Sequence, residues 1–212
     1  MIINDTETGA TLEISAIGFA VTYDIYPDTV YDTFWLDFLV RYTAPDGSVE
    51  QGVDSGIEIS CGDAATLCAF FANAAALAVG ESKFCVLLDN TILLTAERRG
   101  PETWLLDAEA RYFDYGSMYS FRAVQTDVTL RQLMRMADEW AYVQWKYSYP
   151  DILSGWIPAI DERGGSTRTT VRPPVPSCEE AAARRFDEAE FARFRRFYRW
   201  RISPDGDFTV TP

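Results

Sequence analysis

Between residues 83 and 127 four segments rich in apolar and β-branched residues follow one another, 83–88, 91–98, 103–113 and 118–127. Only turn signals separate them: Asp89-Asn90, Gly100-Pro101 and Asp114-Tyr115-Gly116. Gaps this short cannot carry the crossover that a parallel pair requires, so the segments must run as an antiparallel meander. This one stretch excludes an all-helical chain and a doubly wound parallel sheet.

The remainder adds helices to that sheet. Residues 11–21 and 33–42 read as strands, the second rich in aromatic and β-branched residues, and Ala44-Pro45-Asp46-Gly47-Ser48 supplies a turn that lets 49–60 pair back. Asp63 stands at an N-cap ahead of Leu67, Phe70, Phe71, Ala74 and Leu77, spaced three and four apart, and Gly80 marks a stop. Asp127 or Thr129 caps a second helix reaching about residue 148, with Leu130, Leu133, Met134, Ala137, Ala141 and Trp145 on its apolar face. The fold expected is α+β: a largely antiparallel, mildly curved sheet of five to seven strands with two packed helices, followed by a C-terminal arm and a long amphipathic helix.

Residues 163–177 carry five Gly or Pro breakers and read as a linker or arm. Ser177 and Glu180 have capping-box spacing, which predicts a helix from Cys178 to about Ile202. Phe191, Phe194 and Tyr198 fall on one stripe of it with arginines on both flanks, so the stripe is expected to dock on the acidic body of its own chain or of a second copy. The division expected is an acidic α+β domain over 1–150, a linker over 151–177, and a basic-aromatic helix and tail over 178–212.

The chain has no histidine, which excludes Ser-His-Asp and Cys-His nucleophiles and every His-containing metal site. Neither Gly-x-Gly-x-x-Gly nor a Walker loop occurs, and Cys61, Cys68, Cys85 and Cys178 lack zinc-knuckle spacing. No cofactor and no metal are expected, and the cysteines read as reduced, buried thiols. Asp37, Asp107 and Glu109 lie on strands where a glycosidase pair could be mounted, but Asp107 and Glu109, two apart and alternating with Leu106 and Ala108, are what a solvated strand face demands. No signal peptide or membrane-length apolar run is present, so the chain is expected in the cytoplasm.

Charge is unevenly spread. Residues 1–150 hold 22 Asp plus Glu against 9 Lys plus Arg, a balance of −13, whereas residues 151–212 hold 10 against 10. A field of that sign repels nucleic acid and draws basic partners. Direct nucleic-acid binding by the arginine-rich helix is therefore not expected, even though interleaved arginine and aromatic residues can track phosphates and stack bases.

Tyr31-Asp32-Thr33-Phe34-Trp35-Leu36, the apolar helix of 63–79 leading to a strand near Phe84, and Asp127-Val128-Thr129-Leu130-Arg131-Gln132-Leu133 leading into the last helix together resemble the WapI-type immunity proteins over residues 10–146. Phe34 stands where that family has a polar Asn, and the C-terminal 60 or so residues lie outside the likeness. The resemblance implies a toxin-neutralising binder without an active site. The candidate interface comprises Trp35, Asp37, Asp107, Glu109, Phe191, Phe194 and Tyr198, with Trp35 open between core residue and interface anchor. The partner expected is a basic protein such as a toxin or nuclease. The alternatives are a mobile-element anti-defence protein that mimics nucleic-acid charge and a scaffolding subunit that oligomerises through the C-terminal helix.

Overall fold

The computed structural model describes residues 1–26, 29–58, 63–87, 92–114, 117–146, 168–171, 187–203 and 208–212. Four strands, β1 (Ile2–Asn4), β2 (Thr11–Tyr26), β3 (Thr29–Thr43) and β4 (Val49–Glu58), form an antiparallel sheet in sequence order. The turn from β3 to β4 closes as its residues dictate. Gly47 takes φ +84°, its amide donates to the Ala44 carbonyl at 2.9 Å, and Asp46 Oδ1 accepts from the Ser48 amide at 2.9 Å.

After β4 the chain forms helix α1 (Asp63–Ala75) and then the expected meander, β5 (Ser82–Val86), β6 (Ile92–Arg98), β7 (Trp104–Asp114) and β8 (Ser117–Val128), antiparallel throughout. Helix α2 (Leu130–Lys146) follows at once. Thr129 caps it: Thr129 Oγ1 accepts from the Gln132 amide at 3.3 Å, and Gln132 Oε1 accepts from the Thr129 amide at 2.8 Å, a reciprocal capping box.

The fold is therefore α+β with antiparallel sheets, as the turn spacing requires, but the strands up to β8 divide into two sheets where one was expected. Helix α1 interrupts the strand sequence, and β4 and β5 are not neighbours in either sheet. Both sheets and both helices share one apolar core. The first sheet contributes Leu12, Ile14, Phe38 and Val40, the second Leu94, Leu106, Ala108 and Val124, and α1 Leu67, Phe70 and Phe71. Trp104, fully buried, donates its Nε1 to the Ala74 carbonyl at 2.8 Å and so ties the second sheet to the end of α1. At the sheet margin Asp5 accepts from the Thr8 amide at 2.7 Å and the Gln125 amide at 3.0 Å, pinning the β1–β2 turn to β8.

Three segments depart from expectation. Arg168–Val171, inside the expected linker, forms β9 and pairs with Val21–Asp24 of β2, since Thr169, Thr170 and Val171 are β-branched residues suited to a ladder. The other residues of 151–177 lie outside the described residues. Of the expected C-terminal helix, α3 (Glu188–Phe197) is described, with Asp187 capping it by accepting from the Ala189 and Glu190 amides; Ser177 and the start expected at Cys178 lie outside the described residues. The helical reading also overran its end. Arg199–Ile202 is strand β10, antiparallel to β11 (Phe208–Thr211), with Trp200 and Ile202 turned inward at a period of two. No described helix is long and apolar enough to cross a membrane.

Candidate functional site: the outer face of the second sheet

Because side chains alternate along a strand, the register of β5–β8 fixes which residues share its outer face. Three cross-strand rows result: Ser82, Glu97, Leu105, Asp127; Phe84, Thr95, Asp107, Gln125; and Val86, Leu93, Glu109, Ala123. The opposite parity, Cys85, Leu94, Ala96, Leu106, Ala108 and Val124, is buried in the core. The outer face is thus acidic at Glu97, Asp107, Glu109 and Asp127 and apolar at Phe84 and Val86. Phe84 is 75% exposed, which no packing demand among the described residues explains.

Asp107 and Glu109 lie together on this face as expected, each half-buried between neighbours. Partial burial, reinforced by the charge of Glu109, pushes the Asp107 carboxyl above the ordinary carboxylate range. A guanidinium or ammonium placed over the pair would reverse that shift, so the face is chemically disposed towards cations.

Trp35 and Asp37 stand elsewhere, on β3 of the first sheet. Trp35 is opposite Ala20 of β2 and Glu58 of β4, and Asp37 is opposite Gly18 of β2. Their side chains lie outside the described residues, and the choice between core and interface for Trp35 falls there with them. Asp37 and the β7 carboxylates thus belong to different sheets.

Phe191, Phe194 and Tyr198 do come together, facing inward. Phe191 and Phe194 are each only 2% exposed. Tyr142 of α2 meets both rings edge-on at 5.8 and 5.7 Å, and Trp145 meets Phe194 at 5.3 Å and Tyr198 at 4.8 Å. Polar contacts surround the rings: Arg135 to Glu188 at 2.6 Å, Lys146 to Glu190 at 2.7 Å, and Asp138 receiving both Arg195 Nε at 2.9 Å and Trp200 Nε1 at 2.8 Å. The docking expected of this stripe is realised within one chain. Phe191 and Phe194 are in consequence withdrawn as surface for a partner, because burial against α2 leaves no area to offer.

Sequence reasoning missed Phe84 and Val86. Phe84-Cys85-Val86-Leu87-Leu88 is a continuous apolar run, and such a run hides which parity is buried. The one charge in the segment, Lys83, shares its parity with the buried Cys85 and Leu87, so it points to the wrong face as the exposed one, and no local signal marks Phe84 and Val86. Among the cysteines, Cys68 and Cys85 are buried, and burial pushes the Cys68 thiol up, out of reach of thiolate chemistry at neutral pH. Among the described residues, no three Cys, Asp or Glu side chains converge on a point that could hold a metal ion. No protein-family model and no curated protein matches the chain.

Proposed function

We propose that the chain is a non-catalytic inhibitor that binds a basic protein in the cytoplasm, in the manner of an immunity protein neutralising a toxin enzyme. The observation that carries this reading is the outer face of β5–β8, where exposed Phe84 and Val86 sit among Glu97, Asp107, Glu109 and Asp127. Apolar groups with a charged surround are what a protein interface needs, and carboxylates facing a basic cleft raise the encounter rate and fix orientation. Phe84 and Val86 also favour a protein contact over pure mimicry of nucleic-acid charge, which asks for carboxylates without exposed rings. The likeness of residues 10–146 to WapI-type immunity proteins points the same way.

The test is co-expression and binding with the product of the gene immediately upstream. Asp107→Arg/Glu109→Arg should abolish protection and slow association, and wild-type association should slow as salt rises, since screening acts beyond about 10 Å at 0.1 M. A salt-independent association rate, or full protection by the charge-reversed variant, refutes the proposal.

A further inference from the structure

The turning inward of Phe191 and Phe194 sets what α3 shows to solvent. Arg193, Arg196 and Phe197 are exposed, Phe197 by 54%, and the Arg196 guanidinium lies 5.3 Å from its ring centroid. Arg199 donates to the carbonyls of Arg195 at 3.0 Å and Tyr198 at 2.8 Å, which lays its guanidinium at the same helix end. Among the described residues neither Arg193 nor Arg196 has a carboxylate partner, in contrast to Arg195 on Asp138 and Arg135 on Glu188. The result is an exposed aromatic ring with arginines around it.

That patch is the chemical complement of the outer face of β5–β8, an exposed aromatic ring with carboxylates around it. The inner parity of the sheet and the buried stripe of α3 belong to the same core, so within one chain the outer face and the arginine patch each look away from it. We infer that a second copy docks its Arg193, Arg196 and Phe197 patch on the Phe84, Asp107 and Glu109 face, so that self-association occupies the same face that takes the basic partner. This rests on the reading of that face proposed above and adds its regulation: the protein's own basic patch stands in for the partner, and a stronger basic ligand displaces it. The contact is head-to-tail, so it propagates beyond a dimer unless its rotation closes a ring. The net charge of −13 opposes the approach of two copies, but at 0.15 M salt the Debye length of about 8 Å confines interaction largely to the touching patches.

The experiment is sedimentation equilibrium at physiological salt on the full chain. Wild type should gain mass with concentration. Arg193→Glu/Arg196→Glu and Asp107→Arg/Glu109→Arg should each weaken association by about tenfold or more, and an equimolar mixture of the two variants should restore it, because the intact patch of one meets the intact face of the other. Cooperative melting at or above the wild-type temperature shows that each variant folds, and restored association in the mixture shows the same independently. A wild type that stays monomeric at every concentration, an arginine variant that associates as wild type does, or a mixture that fails to recover overturns the inference. Loss of self-association together with partner capture that still needs Asp107 and Glu109 removes this inference alone. Intact self-association with partner capture indifferent to Asp107 and Glu109 removes the proposed function of the face instead.

Discussion

Removing Phe191 and Phe194 together should release the C-terminal unit from the body, whereas removing its ion pairs should not. A ring of this kind buries about 150–250 Å², which at about 25 cal/mol per Å² gives roughly 4–6 kcal/mol for each as an upper bound. Core Phe→Ala changes cost about 3–5 kcal/mol each, so Phe191→Ala/Phe194→Ala should remove about 6–10 kcal/mol, comparable to the whole stability of a typical domain. The pairs Arg135–Glu188, Lys146–Glu190 and Arg195–Asp138 each have at least one side chain more than a third exposed and are worth about 0–1 kcal/mol each. Glu188→Gln/Glu190→Gln/Arg195→Gln should therefore cost no more than about 3 kcal/mol. Amide hydrogen exchange over residues 188–212 reads detachment directly. Trp145, packed at a tilt against Phe194 and Tyr198, should shift its fluorescence to the red when the rings leave. Retained protection in the Phe variant, or equal losses in the two variants, would refute the assignment of this docking to ring burial.

Two further outcomes concern pH. The Thr8 and Gln125 amides hold the Asp5 carboxyl down at about 2; a depressed carboxylate stabilises the fold above its unfolded value of about 3.9 and loses that contribution as pH falls towards 2, so the deficit of Asp5→Ala in urea melts should be constant above about pH 4 and vanish on acidification. Asp107 has the opposite sign: its raised carboxyl range means that its ionisation opposes folding as pH rises, so Asp107→Asn should raise the melting temperature at neutral pH and leave it unchanged in acid, and a lowered melting temperature at neutral pH would contradict the burial and Glu109 repulsion assigned to it.

Most strand positions were legible because each is bounded by a local signal. Asp114-Tyr115-Gly116 stands between β7 and β8, and Thr129 with Gln132 fixes the start of α2. The partition into two sheets was not, because pairing across α1 is a long-range choice and turn chemistry says nothing about it. The face of α2 was read partly wrong for a related reason. Leu130 and Met134 sit at helical spacing but are exposed, while Met136, Trp140 and Tyr142 are buried, since the first sheet, α1 and α3 together demand a wider and rotated face than one apolar stripe supplies. At the C-terminus the helical reading ran through Arg199–Ile202 because arginine favours helices. Ser203-Pro204-Asp205-Gly206 beyond it was the overlooked hairpin signal that could have ended the helix.

The candidate site shows why alternation carries more than composition. The chain's acidity alone names no surface, and the aromatic residues most conspicuous in the sequence, those of α3, turn out to be core. What exposes a face is parity: Lys83, Cys85 and Leu87 take one side of β5 and Phe84 and Val86 the other, and the register then places Asp107 and Glu109 beside Phe84 and Val86, two strands away. On α3 the helical period of 3.6 does the sorting instead: it puts Phe191 and Phe194 in and leaves Arg193, Arg196 and Phe197 out. The burial that withdraws one pair of rings from any partner is thus the cause of the basic patch, and the exposed face and the patch are both consequences of which side of each element the shared core claims, by alternation on the strands and by the helical period on α3.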